Sequence, residues 1–159
     1  MRQKIADVLV YDTRHHLVLI TIAQNVWGKS SEWAALTRQN LYEYDPPPKA
    51  PFFLLALPDH FYLWKNVEDT EKVMPSYDID PRFYLHSFFK KNSILSLEKL
   101  KSSESFDLLV GAALSGITFA YEKDEIGSVY PQWLSQPNHE WLFESGLFDA
   151  LKRGEVEYP

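Results

Sequence analysis

Leu17-Val18-Leu19-Ile20-Thr21-Ile22-Ala23 is the stretch on which the fold turns. It is apolar at odd and even positions alike and rich in β-branched residues, the pattern of a strand covered on both faces and lying mid-sheet. Just before it, Ala6 to Tyr11 is a second short β-branched run. Asp12-Thr13-Arg14-His15-His16 separates the two with turn-forming and polar residues, which predicts a hairpin. Downstream, Ser30 or Ser31 can cap a helix in which Trp33, Leu36, Thr37, Asn40, Leu41 and Tyr44 recur at helical spacing. Asp45-Pro46-Pro47-Pro48 ends that helix, because proline lacks the amide a helix needs and pushes the residue before it out of α geometry. Phe52 to Leu57 and Phe61 to Lys65 read as two more strands, joined by Pro58-Asp59-His60.

Beyond Asn66 the texture changes. The segment to Ser76 is polar and irregular, and helices are predicted near Pro81 to Lys90, Glu104 to Tyr121 and Glu140 to Lys152. In the middle one, Phe106, Leu109, Val110, Ala113, Leu114 and Ile117 form an apolar stripe, while Gly111, Ala112, Ser115 and Gly116 would admit a close neighbour. The stripe reads as core; a homodimer or other protein contact on the Gly111–Ser115 face is the alternative. With no internal repeat or low-complexity linker, residues 1–159 read as a single domain. Residues 1–66 would carry a mixed sheet and the first helix, and residues 67–159 a helical extension. The expected class is α/β (α+β), with roughly four strands in the first part.

A chain of 159 residues can bury a sizeable core, and 45% hydrophobic against 24% charged residues excludes wholesale disorder. The absence of cysteine excludes disulfides, thiolate catalysis and cysteine-ligated metals, and points to a reducing, cytoplasmic setting. Met1-Arg2-Gln3-Lys4-Ile5 lacks a signal-peptide pattern, and no run approaches the roughly 20 apolar residues of a membrane span, so no membrane association is expected. A net charge of -6 argues against broad electrostatic binding of nucleic acid, though not against a local basic groove.

Ala23-Gln24-Asn25-Val26-Trp27-Gly28-Lys29-Ser30 fits a relaxed phosphate-loop template between strand and helix. Its chemistry fits poorly, since a backbone that curls around phosphates needs small residues where Val26 and Trp27 stand. Asp59 could stand where such a site has its magnesium-binding acid, but Pro58 intervenes. His15 and His16 are adjacent and would diverge on a strand, and His60, His86 and His139 are isolated in sequence, so all five read as exposed or core-edge residues rather than metal ligands. Ser105, Ser115 and Ser145 lack a nucleophile-elbow context, and Gly146 reads as a helix stop.

Taken together, Ala6 to Asp12, Leu17 to Asn25, Glu32 to Ala35 with Arg38 to Leu41, Pro51 to Asp59, Phe61 to Asn66 and Trp141 to Phe148 resemble a cyanobacterial family of the PD-(D/E)XK, or restriction-endonuclease-like, nuclease superfamily. The resemblance implies a mixed sheet flanked by helices, here without the N-terminal core helix, since Asp7 lies so near Met1. It implies that an aspartate on one strand and an acid–X–lysine pair on the next meet at one sheet edge to hold magnesium and orient water. Those positions fall on Asp7, Ile22 and Gln24, with Arg38 and Gln39 on the adjoining helix as the nearest polar neighbours. Magnesium wants oxygen ligands, and Ile22 supplies none. A vestigial, catalytically inactive site with a binding or structural role follows, with no cofactor. The enzyme alternative is a magnesium-dependent DNA endonuclease in which Asp7 binds the metal together with a relocated acid, Glu32 or Glu43. Nucleic acid or protein is the partner class expected.

Overall fold

A computed structural model describes residues 6–67, 72–81, 103–118 and 140–159. The hairpin is present: β1 (Val8–Tyr11) and β2 (Leu17–Ala23) pair antiparallel, with Val8 opposite Thr21 and Val10 opposite Leu19. Asp12 organises the turn, its Oδ1 accepting from the amides of Arg14 and His16, each at 2.9 Å. Those hydrogen bonds, the one from His16 foremost, hold the Asp12 carboxyl below the usual carboxylate range. His15 takes the left-handed conformation (φ 63°) and stacks its ring on Tyr11.

Helix α1 (Ser31–Tyr44) starts where Ser30 Oγ accepts from the Trp33 amide at 3.1 Å, and stops with the Asp45 amide on the Leu41 carbonyl, one residue ahead of the prolines. It carries the chain back so that β3 (Phe52–Ala56) lies parallel to β2, with Ile22 opposite Leu55. β4 (Phe61–Lys65) then returns antiparallel through Pro58-Asp59-His60, with Phe53 opposite Trp64.

The region expected to be a helical extension contributes two further strands. β5 (Tyr77–Ile79) pairs with β4, and β6 (Glu155–Glu157) pairs with β1, giving a mixed six-stranded sheet in the order β5-β4-β3-β2-β1-β6. Each has only three residues, too few for a period-2 signal, and each is strand because of the neighbour it pairs with. Both lie at edges, where charged residues such as Asp78, Glu155 and Glu157 guard against further pairing.

Helix α2 (Ser103–Thr118) falls where a helix is predicted, and Phe106, Val110, Ala113 and Leu114 of the predicted stripe are buried. The single helix predicted over Glu140 to Lys152 is instead two, α3 (Glu140–Glu144) and α4 (Leu147–Leu151). Gly146 breaks them apart at φ 85°, and Ser145 Oγ accepts from the Leu147 amide to start the second. The helix predicted at Pro81 to Lys90 falls, from residue 82 onward, outside the described residues. Among the described residues, no helix is long and apolar enough to cross a membrane.

Both faces of the sheet are covered. Val8, Val10, Leu54 and Leu63 pack with Phe106, Val110 and Leu114 of α2 and with Leu147, Phe148 and Leu151 of α4. On the opposite face Leu9, Ile20, Phe53, Leu55 and Trp64 pack with Ala34 of α1. Leu19 and Ile20, adjacent on β2, are 0% and 1% exposed, so the strand is buried on both sides as its composition predicts. Each such side chain contributes about 1.5–3 kcal/mol by burial.

The small-residue face of α2 has an intramolecular occupant: a Cβ on Gly111 would overlap the ring of Tyr158, which follows β6. Gly154, which leads into β6, is tighter still, since a Cβ there would overlap the backbone carbonyls of Tyr11 and Leu151. A phenol can swing aside, whereas a strand carbonyl cannot. Gly154→Ala is therefore expected to lower the unfolding free energy by about 1–3 kcal/mol, and Gly111→Ala by clearly less. Urea denaturation of the two variants checks the order.

Candidate functional site

Strand β1 begins at Val8, opposite Thr21, while β2 runs on to Ala23. Asp7, one residue ahead of Val8, donates its amide to the carbonyl of Thr21, the residue that Val8 pairs with, and so lies beside the end of β2. On its other side β2 stays paired, the Gln24 amide reaching the Ala56 carbonyl of β3. The Ala23 amide points the other way, past the end of β1, and a buried amide left without an acceptor is costly. Asp7 supplies the acceptor: its Oδ2 receives the Ala23 amide at 2.8 Å.

The structure thus brings Asp7 to the Ile22–Gln24 segment and commits one of its carboxylate oxygens to the backbone. Asp7→Ala is expected to cost about 1–3 kcal/mol by leaving that amide unsatisfied, and Asp7→Asn, which keeps an oxygen acceptor, less than about 1 kcal/mol. Chemical denaturation at neutral pH measures both.

Ile22 and Gln24 project from β2 toward α1 and open onto a cleft of about 290 Å³. Its floor is sheet, with Phe53 and Leu55 of β3 beside Ile22. Its wall is helix, with Thr37, Arg38, Asn40 and Leu41 one turn apart on α1. Arg38 is 1% exposed, a charged side chain held inside the domain. Its Nη2 donates to the Val67 carbonyl at 2.9 Å, and its guanidinium lies 4.3 Å from the Tyr42 ring centre and 5.7 Å from that of Trp64. Burial raises the Tyr42 phenol pKa, and the nearby guanidinium partly offsets this. Gln39, expected beside Arg38, is partly buried but does not line the cleft.

The two acids considered as relocated ligands are placed elsewhere. Glu32 bonds Lys72 Nζ at 2.7 Å, an ion pair that holds its carboxyl below the usual range. Glu43 is exposed in the last turn of α1. Among the described residues, no three histidine, aspartate or glutamate side chains converge on a point that could hold a metal ion.

The phosphate-loop template is closed by the protein itself. Asp59 Oδ2 accepts from the Gly28 amide at 3.0 Å, so a carboxylate of the β3–β4 turn occupies an amide that a phosphate would need. Lys29 folds toward the Trp33 ring, 5.4 Å from its centre, and Ser30 is the α1 cap. Next to it lies a cluster that the sequence did not announce. His60 Nδ1 is 2.8 Å from Asp78 Oδ1, its Nε2 is 4.0 Å from Asp59 Oδ2, and its ring stacks on Tyr62. The imidazole stands between the two carboxylates, so its nitrogens face them rather than joining them around a shared ion. Asp78 belongs to β5, and without that strand nothing in the sequence places it beside His60.

Tyr62 donates its hydroxyl to the Lys29 carbonyl at 2.6 Å. Burial, reinforced by the charge of Asp78, pushes the phenol up to about 12. The folded state therefore favours the protonated phenol over the unfolded chain, whose tyrosine titrates near about 10. This contribution is full below about pH 10 and is lost between about 10 and 12. Unfolding free energy is expected to fall with pH across that window, with a shallower slope in Tyr62→Phe; denaturation at a series of alkaline pH values checks it.

Comparison of the chain with protein-family models, with curated proteins and with solved structures gives no match.

Proposed function

We propose that this chain is a non-catalytic binding domain on a nuclease-like sheet, with the edge that would carry metal chemistry given over to a small-molecule cleft. The observation that carries this reading is the pairing at β1 and β2. The acid expected to hold a divalent ion receives the Ala23 amide, and the position expected to supply the second acid is the hydrocarbon of Ile22, next to Ala23 on β2. A hard cation needs several oxygen donors at once, and Asp7 with Ile22 offers one carboxylate that already has a task.

The PD-(D/E)XK resemblance stays part of the proposal. It is supported by the order of elements at this edge, where a hairpin brings Asp7 to the end of β2 and a helix then leads to a parallel strand. The lysine position is Gln24, which opens onto the cleft and can donate or accept a hydrogen bond without carrying charge. No cofactor takes part in the proposed function. Its ligand is a small molecule, since the cleft is concave, mainly apolar and dotted with a few polar groups.

Two measurements test the reading. Incubated with supercoiled plasmid and magnesium or manganese, the protein is expected to leave the DNA intact, and metal-dependent nicking that disappears in Asp7→Ala would contradict this. The neutral dye N-phenyl-1-naphthylamine is expected to gain fluorescence on binding the native protein and to lose that gain in Ile22→Trp, which fills the cleft.

A further inference from the structure

Resting on that reading, we infer that the cleft between α1 and the β2–β3 floor selects a small, neutral, flat heteroaromatic molecule whose edge carries both a hydrogen-bond donor and an acceptor, the chemistry of a nucleobase or a pyridine carboxamide.

Shape is the first argument. A helix lying over a sheet leaves a slot, and here Phe53, Leu55 and Ile22 line the sheet side with Leu41 on the helix side. At about 290 Å³ it is at the lower end of ligand sites, which run from roughly 300 Å³ upward, and it suits one or two fused rings. Phe53 gives a ring a partner for offset or edge contact.

Polarity is the second. Gln24, at the end of β2, and Asn40, on α1, approach the cleft from its two sides, and each carries a carboxamide with donor and acceptor in one plane. Among the described residues, neither side chain is engaged in a hydrogen bond within the protein. Two carboxamides match an edge that alternates donor and acceptor, as an adenine edge does. Thr37 does not compete for the role, because its hydroxyl donates to the Trp33 carbonyl at 2.9 Å.

Charge is the third. The cation in the wall, Arg38, is oriented by the protein: it donates to the Val67 carbonyl and lies against the Tyr42 ring. The remaining polar lining, Gln24, Thr37 and Asn40, is uncharged. The guanidinium is already held by the Val67 carbonyl and the Tyr42 ring, and a neutral edge needs only the two carboxamides.

Isothermal titration calorimetry of the full chain with adenine, nicotinamide and benzoate tests the inference. Adenine or nicotinamide is expected to bind one to one and more tightly than benzoate. The double variant Gln24→Ala/Asn40→Ala, which changes one half-buried and one exposed side chain, is expected to keep its melting temperature and to weaken that binding about tenfold or more. Tighter binding of benzoate, unchanged affinity in the double variant, or no heat from either neutral compound would overturn the inference. If the naphthylamine dye still binds native protein and not Ile22→Trp in those cases, the binding-domain reading survives and only the ligand class falls. Loss of dye binding as well removes both.

Discussion

A buried amide must find an acceptor, and at Ala23 the neighbouring strand has run out before the need has. The Asp7 carboxylate, 2.8 Å away, closes that gap. This single bond decides how the β1–β2 edge is finished and what its acid is available for. A carboxylate that accepts a backbone amide holds strand ends in register; a carboxylate that binds a divalent ion must instead converge with other oxygens. Ile22, next to Ala23 on β2, offers no such oxygen, and its side chain extends the apolar floor shared with Phe53 and Leu55. The same residue that argues against metal chemistry therefore builds the cleft.

The domain around this edge is arranged so that β2 and β3 are covered from both sides. α1 lies over one face of the sheet and α2 with α4 over the other. Helices from the C-terminal half cover the second face. The small-residue stretch of α2 serves that intramolecular packing, with Tyr158 seated over Gly111. The buried Arg38 ties α1 to the Val67 carbonyl just past β4 and sets one wall of the cleft in place.

Much of this was legible in the sequence wherever the signal is local. The hairpin, the Ser30 cap, the proline stop and the run of strands to Lys65 all follow from residue type and spacing, and the mid-sheet place of β2 follows from its two-sided hydrophobicity. What was not legible depends on partners distant in the chain. β5 and β6 are three-residue strands that exist because β4 and β1 present open edges to them. The Gly146 break was read as a helix stop, but not as the start of a second helix, because that start relies on the Ser145 hydroxyl. At the site, Asp7, Ile22 and Gln24 were placed together by the resemblance; of the two polar neighbours it implied, Arg38 lines the cleft with Ile22 and Gln24, and Gln39 does not. The capping bond to Ala23 was invisible, since it depends on where β1 ends relative to β2. The His60–Asp78 pair was hidden for the same reason as β5.

The most direct measurement is a titration of the ¹⁵N-labelled protein with manganese, followed through the amide resonances of Asp7, Ala23 and Gln24. The capped-edge account predicts that these signals broaden no more than those of other surface-accessible amides. Selective broadening centred on Asp7 and Ala23, saturating at one ion per chain, would show that the carboxylate binds metal after all and would contradict the account.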